Sequence, residues 1–117
     1  MAALSHLFVH VTSLEATRHF YVDFLGLEPL VDDGLYLRVG GPNGFHIGFE
    51  ERDWADVGAP GVEIAIRVDD VDETYRLLRA EGVRFGAPPE DQEWGARHVW
   101  LLDPDDYRLT LWSPIAT

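Results

Sequence analysis

The chain has 117 residues, 46% of them hydrophobic, no cysteine, and a formal net charge of −12 from 21 acidic and nine basic side chains. That length suits one domain with material for a core, the missing cysteine excludes disulfides, zinc–thiolate sites and thiol nucleophiles, and the acidic balance opposes a phosphate backbone, so nucleic acid is not an expected partner. No apolar run reaches the ~18 residues of a membrane span, and Met1-Ala2-Ala3-Leu4 lacks the basic start and apolar stretch of a secretory signal, so no membrane partner is expected and the cytosol is the expected compartment.

In chain order, residues 5–11 alternate His6, Phe8 and His10 with Leu7, Val9 and Val11, the two-residue period of a strand with two distinct faces. Thr12 followed by Glu15 has the form of a capping box. Leu14, Phe20, Tyr21, Phe24 and Leu25 then recur at helical spacing until Gly26 ends the helix. A turn at Asp32-Asp33-Gly34 leads into a strand at 35–39, and Gly40-Gly41-Pro42-Asn43-Gly44 turns the chain into a partner strand at 45–49. Residues 51–61, rich in charge, Gly and Pro, form the expected linker between a first module at 4–50 and a second at 62–114 of a single domain.

The second half repeats the plan. Glu63-Ile64-Ala65-Ile66-Arg67-Val68 stands fifty-seven positions after His6-Leu7-Phe8-Val9-His10-Val11, and Asp69 and Asp72 stand where Thr12 and Glu15 stood. Val71, Tyr75 and Leu78 form the apolar stripe of a second helix, closed by Gly82. A loop over Pro88-Pro89 to Gly95, a strand at 97–102, a turn at Asp103-Pro104-Asp105-Asp106 and a last strand at 107–112 complete it.

Ser5-His6-Leu7, Phe20-Tyr21 with Leu25-Gly26-Leu27, Val68-Asp69-Asp70-Val71 and Leu102-Asp103-Pro104-Asp105 together resemble the vicinal oxygen chelate superfamily, which includes glyoxalase I, bleomycin-resistance proteins, fosfomycin-resistance transferases and extradiol dioxygenases. The resemblance spans nearly the whole chain. It implies an α+β fold of two βαβββ modules whose curved mixed sheets surround a cupped cavity, and a homodimer. The family usually has Gly after the Asp-Pro-Asp turn. This chain has Asp106, a residue that tolerates the left-handed conformation better than most.

In metal-using relatives four inward residues hold a divalent ion, and the resemblance carries these positions onto His6, Gly48, Glu63 and Thr110. Glycine offers no side chain and threonine is a poor neutral ligand, so only His6 and Glu63 could hold a metal. No cofactor is therefore expected, and a hydrogen bond between that imidazole and carboxylate is the expected alternative. A divalent ion stays open through a shifted set of His6 and Glu63 with Glu50 or His98.

If His6 faces inward, strand parity takes Phe8 and His10 with it, Gly48 takes His46 and Glu50, Glu63 takes Arg67, and Thr110 takes Arg108 and Trp112, with His98 and Trp100 on the neighbouring strand. This lining suits a flat, partly apolar ligand that is polar at its edges. Trp54 and Trp94, in polar loop-like segments, are candidates to cap the pocket or meet a dimer partner.

The leading expectation is a binding protein of the bleomycin-resistance kind that sequesters a planar, cationic aromatic compound, with Glu50, Glu63 and the acidic field favouring positive charge. A metal-dependent lyase, isomerase or extradiol-dioxygenase-like enzyme and metal-free acid–base catalysis by His6 and Glu63 remain open alternatives. Nucleophilic catalysis has little support: Ser5, Ser13 and Ser113 lie at a strand entry, a helix cap and the chain end, and the glycine-rich turn at 40–44 lacks the lysine and following helix of a phosphate loop.

Overall fold

A computed structural model describes residues 1–52 and 58–115. By its internal contacts the chain divides into two units, Met1–Val57 and Gly58–Thr117. The first runs β1 (Leu7–Val11), α1 (Leu14–Arg18) continuing into a π-helical segment (His19–Phe24), β2 (Glu28–Asp32), β3 (Tyr36–Gly40) and β4 (His46–Glu51). The second runs β5 (Ile64–Arg67), α2 (Val71–Ala80), β6 (Arg84–Phe85), β7 (Glu90–Asp91), β8 (Ala96–Leu102) and β9 (Arg108–Pro114). Their sheets share one topology: β1-β4-β3-β2, with β1 parallel to β4, and β5-β9-β8-β6, with β5 parallel to β9 and β7 also paired to β8. The fold is α+β, two βαβββ modules, and among the described residues no helix is long and apolar enough to cross a membrane.

In the first unit Val9, Val11, Leu37, Val39, Ile47 and Phe49 point to the helix side of the sheet and are buried there with Phe20 and Tyr21, whose phenol ring packs on Phe49 at 4.7 Å. Removing each such side chain from water is worth roughly 1.5–3 kcal/mol. The helix begins one residue later than the capping-box reading placed it. Ser13, not Thr12, is the N-cap: it is extended (φ −147°), its Oγ accepts from the Ala16 N–H at 3.1 Å, and its carbonyl accepts from the Thr17 hydroxyl at 2.8 Å. The expected single α-helix widens after Arg18 into a π-helical turn, with the Leu25 N–H donating to the Phe20 carbonyl at 3.0 Å. Phe20 and Tyr21 in that turn are both buried. Gly26, at φ +75°, ends the segment as expected.

Glu28-Pro29-Leu30-Val31-Asp32 lacks the alternation that marks a strand in sequence, and in the structure β2 is mostly exposed. Its pairing to β3 shifts register between Pro29 and Val31, and Pro29, which has no N–H to donate, stands on this edge strand. The same position in the second unit is split. β6 and β7 pair with opposite ends of β8, and Pro88 and Pro89 lie between them, so β7 occupies part of the stretch read as a loop.

In the second unit Asp70, not Asp69, caps α2, accepting from the Glu73 N–H at 3.1 Å. Val71 and Leu78 are buried, and Tyr75 packs edge-on to Phe85 at 4.8 Å. Arg97 on β8 clamps the helix start: its Nε and Nη2 each donate to Asp72 at 2.9 Å, and its Nη1 donates to Asp91 at 3.0 Å. These bonds hold the Asp72 carboxyl below its ordinary value and raise the guanidinium. In the turn before β9, the buried Asp103 carboxylate accepts from the Asp105 and Tyr107 N–H groups at 2.8 and 2.9 Å, and Asp106 takes the left-handed conformation (φ +67°) where relatives usually have glycine. Arg84 ties the turn down through the Asp103 carbonyl at 2.8 Å and the Asp106 carboxylate at 2.6 Å.

Candidate functional site

Each sheet has a second face, turned away from its helix, and the residues of the strands read from sequence as a pocket lining lie on one of these two faces, with His6 and Glu63 immediately before β1 and β5. On the first sheet, parallel pairing sets Phe8 beside Gly48 and His10 beside Glu50, while antiparallel pairing sets Arg38 opposite Gly48, Tyr36 opposite Glu50 and Gly40 opposite His46. Phe8 remains 45% exposed although it stacks on Tyr36 (6.0 Å, 20°) and meets His10 edge-on at 5.6 Å.

The absence of a side chain at Gly48 has a use. A Cβ built there would collide with the Tyr36 hydroxyl and lie 2.8 Å from its Cζ, so the phenol occupies the space a larger residue would need. Lying over that glycine, the Tyr36 oxygen accepts a hydrogen bond from Arg38 Nε at 3.1 Å, and Arg38 Nη2 lies 3.4 Å from His6 Nε2. Because a guanidinium only donates, His6 Nε2 is the acceptor and its Nδ1–H faces the Ser5 Oγ at 3.0 Å. Tyr36 and Arg38 were missed in the sequence reading. The signal was present in β3, where they alternate with the buried Leu37 and Val39, but only cross-strand register puts them beside Gly48.

On the second sheet Ala65 and Trp100 flank Thr110, and Arg67 and His98 flank Trp112. His98 is largely buried, with Nδ1 3.1 Å from the Thr110 hydroxyl and its ring edge-on to Trp100 at 4.8 Å. Trp100 is 46% exposed yet held on two sides: its Nε1–H donates to Glu63 at 2.6 Å, and the Arg108 guanidinium lies 4.4 Å from its ring centre. Arg67 lies 5.5 Å from the centre of the Trp112 ring. Trp94 is exposed, 6.2 Å from the His98 ring, whereas Trp54 lies outside the described residues.

The four positions that would hold a metal in relatives do not fit one here. Gly48 has given its space to a phenol, the Thr110 hydroxyl is on His98, and the His6 nitrogen facing the sheet has a guanidinium against it. Within its own unit His6 has Ser5 and Arg38 as partners, and within the other Glu63 has Trp100. Of the shifted sets, Glu50 is bound to Arg52 at 2.8 Å within its own unit. Glu63 also has Arg108 at 4.0 Å, so neither carboxylate expected to favour a cation stands without an arginine.

The family model of the Glyoxalase/Bleomycin resistance protein/Dioxygenase superfamily matches residues 3–111, and the chain belongs to that superfamily. Among solved structures it is similar to a superfamily member from Sphaerobacter thermophilus (30% identity, 96% of this chain and 97% of that one, TM-score 0.75). It is also similar to a protein of Agrobacterium tumefaciens (28% identity, 99% and 100% covered, TM-score 0.78). A third is TnmS3, an antibiotic-binding protein from Streptomyces sp. CB03234 (26% identity, 97% of each chain, TM-score 0.77).

Proposed function

We propose that this protein binds a planar aromatic compound and releases it unchanged, sequestering it without a metal and acting as a homodimer. The observation that carries this reading is the pair of aromatic rings left about half exposed while held in place: Phe8 stacked on Tyr36, and Trp100 bonded to Glu63 through its Nε1–H with Arg108 over its ring. Rings immobilised before binding lose little entropy when a flat guest stacks on them. The likeness to TnmS3 supports the same reading, and the donor chemistry at Gly48 and Thr110 argues against a resident cation.

Titration with planar antibiotics of quinone and cationic glycopeptide types, followed by tryptophan fluorescence and calorimetry, tests it. Saturable stoichiometric binding with the compound recovered intact by mass spectrometry is expected. Silence across the panel, or turnover of a bound compound, would remove the reading, and sedimentation of the same samples tests the dimer.

A further inference from the structure

The first sheet carries one cluster whose hydrogen-bonding capacity is left over. Arg38 spends its Nε–H on Tyr36 and one Nη2–H on His6 Nε2; neither partner carries a negative charge, and no carboxylate lies within ion-pair distance of this guanidinium among the described residues. Its remaining N–H groups, on Nη1 and Nη2, have no protein acceptor there. The Tyr36 oxygen is already an acceptor, so its own O–H is free to donate. Glu50, the carboxylate on this face, is engaged by Arg52 at 2.8 Å. The cluster is therefore rich in donors, poor in acceptors and positively charged, and it is held in place because Gly48 leaves room for the phenol.

We infer that Arg38 and Tyr36 form an oxyanion subsite for the carboxylate of a planar aromatic acid, whose ring lies against Phe8. This rests on the proposed binding of a flat aromatic compound and adds the charge of its polar end. A guanidinium presents parallel N–H donors that match a carboxylate, and a bond with both partners charged is about twice as strong as a neutral one. Phe8 supplies the adjoining apolar surface, 6.0 Å from the Tyr36 ring on the same face. The net charge of −12 works against an anion at a distance, through a field screened beyond roughly 8–10 Å in physiological salt, whereas the contact with Arg38 is made at hydrogen-bond range. The acidic surface then slows arrival, and the local cation decides which end of the guest is held.

The test compares three probes of one shape, 2-naphthoate, 2-naphthamide and 2-naphthylmethylammonium, by calorimetry on the full chain. The acid is expected to bind roughly tenfold more tightly than the amide. Arg38→Gln is expected to remove that advantage, lowering the affinity for the acid by more than that for the amide. Tyr36→Phe, which keeps the stacked ring and removes only the hydroxyl, is expected to weaken the acid by roughly three- to tenfold and the amide, whose neutral carbonyl accepts more weakly, by less, and it carries the test if Arg38→Gln lowers the melting temperature or alters the circular dichroism. Equal affinity for acid and amide, or equal losses for both in the variants, would overturn the subsite while leaving the aromatic platform standing. Binding of the ammonium in preference to the acid would do the same. If none of the three binds, subsite and platform both fall.

Discussion

The two sheet faces occupy equivalent places in an internal repeat and carry different chemistry. Position by position, His6 corresponds to Glu63, Phe8 to Ala65, Arg38 to Trp100, Tyr36 to His98 and Gly48 to Thr110, as the pairings of β1 and β3 with β4, and of β5 and β8 with β9, require. Behind the faces the correspondence is close to identity of role: Phe49 and Leu111 are equivalent, and both are fully buried. The repeat has kept what the fold needs, register and a dry side, and has let the other side diverge, because residues there contribute little to core packing. One device is nevertheless retained. In each unit a side chain from β3 or β8 reaches over the neighbouring strand to the position relatives use for a metal ligand, Tyr36 over Gly48 and His98 onto Thr110.

The largest expected effects fall on the shared cores. Phe49→Ala is expected to cost about 3–5 kcal/mol and Leu111→Ala about 2–5 kcal/mol in denaturant unfolding. A loss under about 1 kcal/mol for either would break the equivalence of the two dry sides.

Smaller effects separate the two reaching side chains. Gly48→Ala forces a methyl against the phenol and is expected to cost about 1–3 kcal/mol, and in a Tyr36→Ala background that cost should largely vanish. Thr110→Val keeps the volume but leaves the His98 nitrogen without its partner, about 1–3 kcal/mol. If Gly48→Ala costs the same with and without the phenol, the close approach is not what the glycine serves.

The smallest effect concerns the ties between helix and sheet, which have opposite polarity. Arg18 on the first helix binds Asp32 on β2 at 2.7 Å, and Asp72 on the second helix binds Arg97 on β8. Because Arg97 lowers the Asp72 pKa below its ordinary 3.8, the stabilisation is present above about pH 4 and is lost as pH falls through the lower folded value. This pair is partly exposed, so Asp72→Asn should cost only about 0–1 kcal/mol at neutral pH. Melting curves of wild type and variant should converge in acid; a gap that persists at the lowest pH would assign the loss to something other than charge.

The chain's own order of residues determined the repeat, the strand–helix alternation, the terminating Gly26 and the parity that sends His6, Phe8, Glu63, Trp100 and Thr110 to one kind of face and the valines and leucines to the other, because local periodicity is written residue by residue. The edge strands β2, β6 and β7 escaped it, since an edge needs only a partner's backbone and tolerates Pro, Glu and Asp. The caps fell one residue later than the spacing suggested, at Ser13 and Asp70, because the backbone turns into the helix there. The chemistry at Gly48 was legible only by half: the missing ligand is visible in the sequence, but the phenol that fills its place and the guanidinium held by that phenol come from β3, and only cross-strand register brings Tyr36 and Arg38 to it.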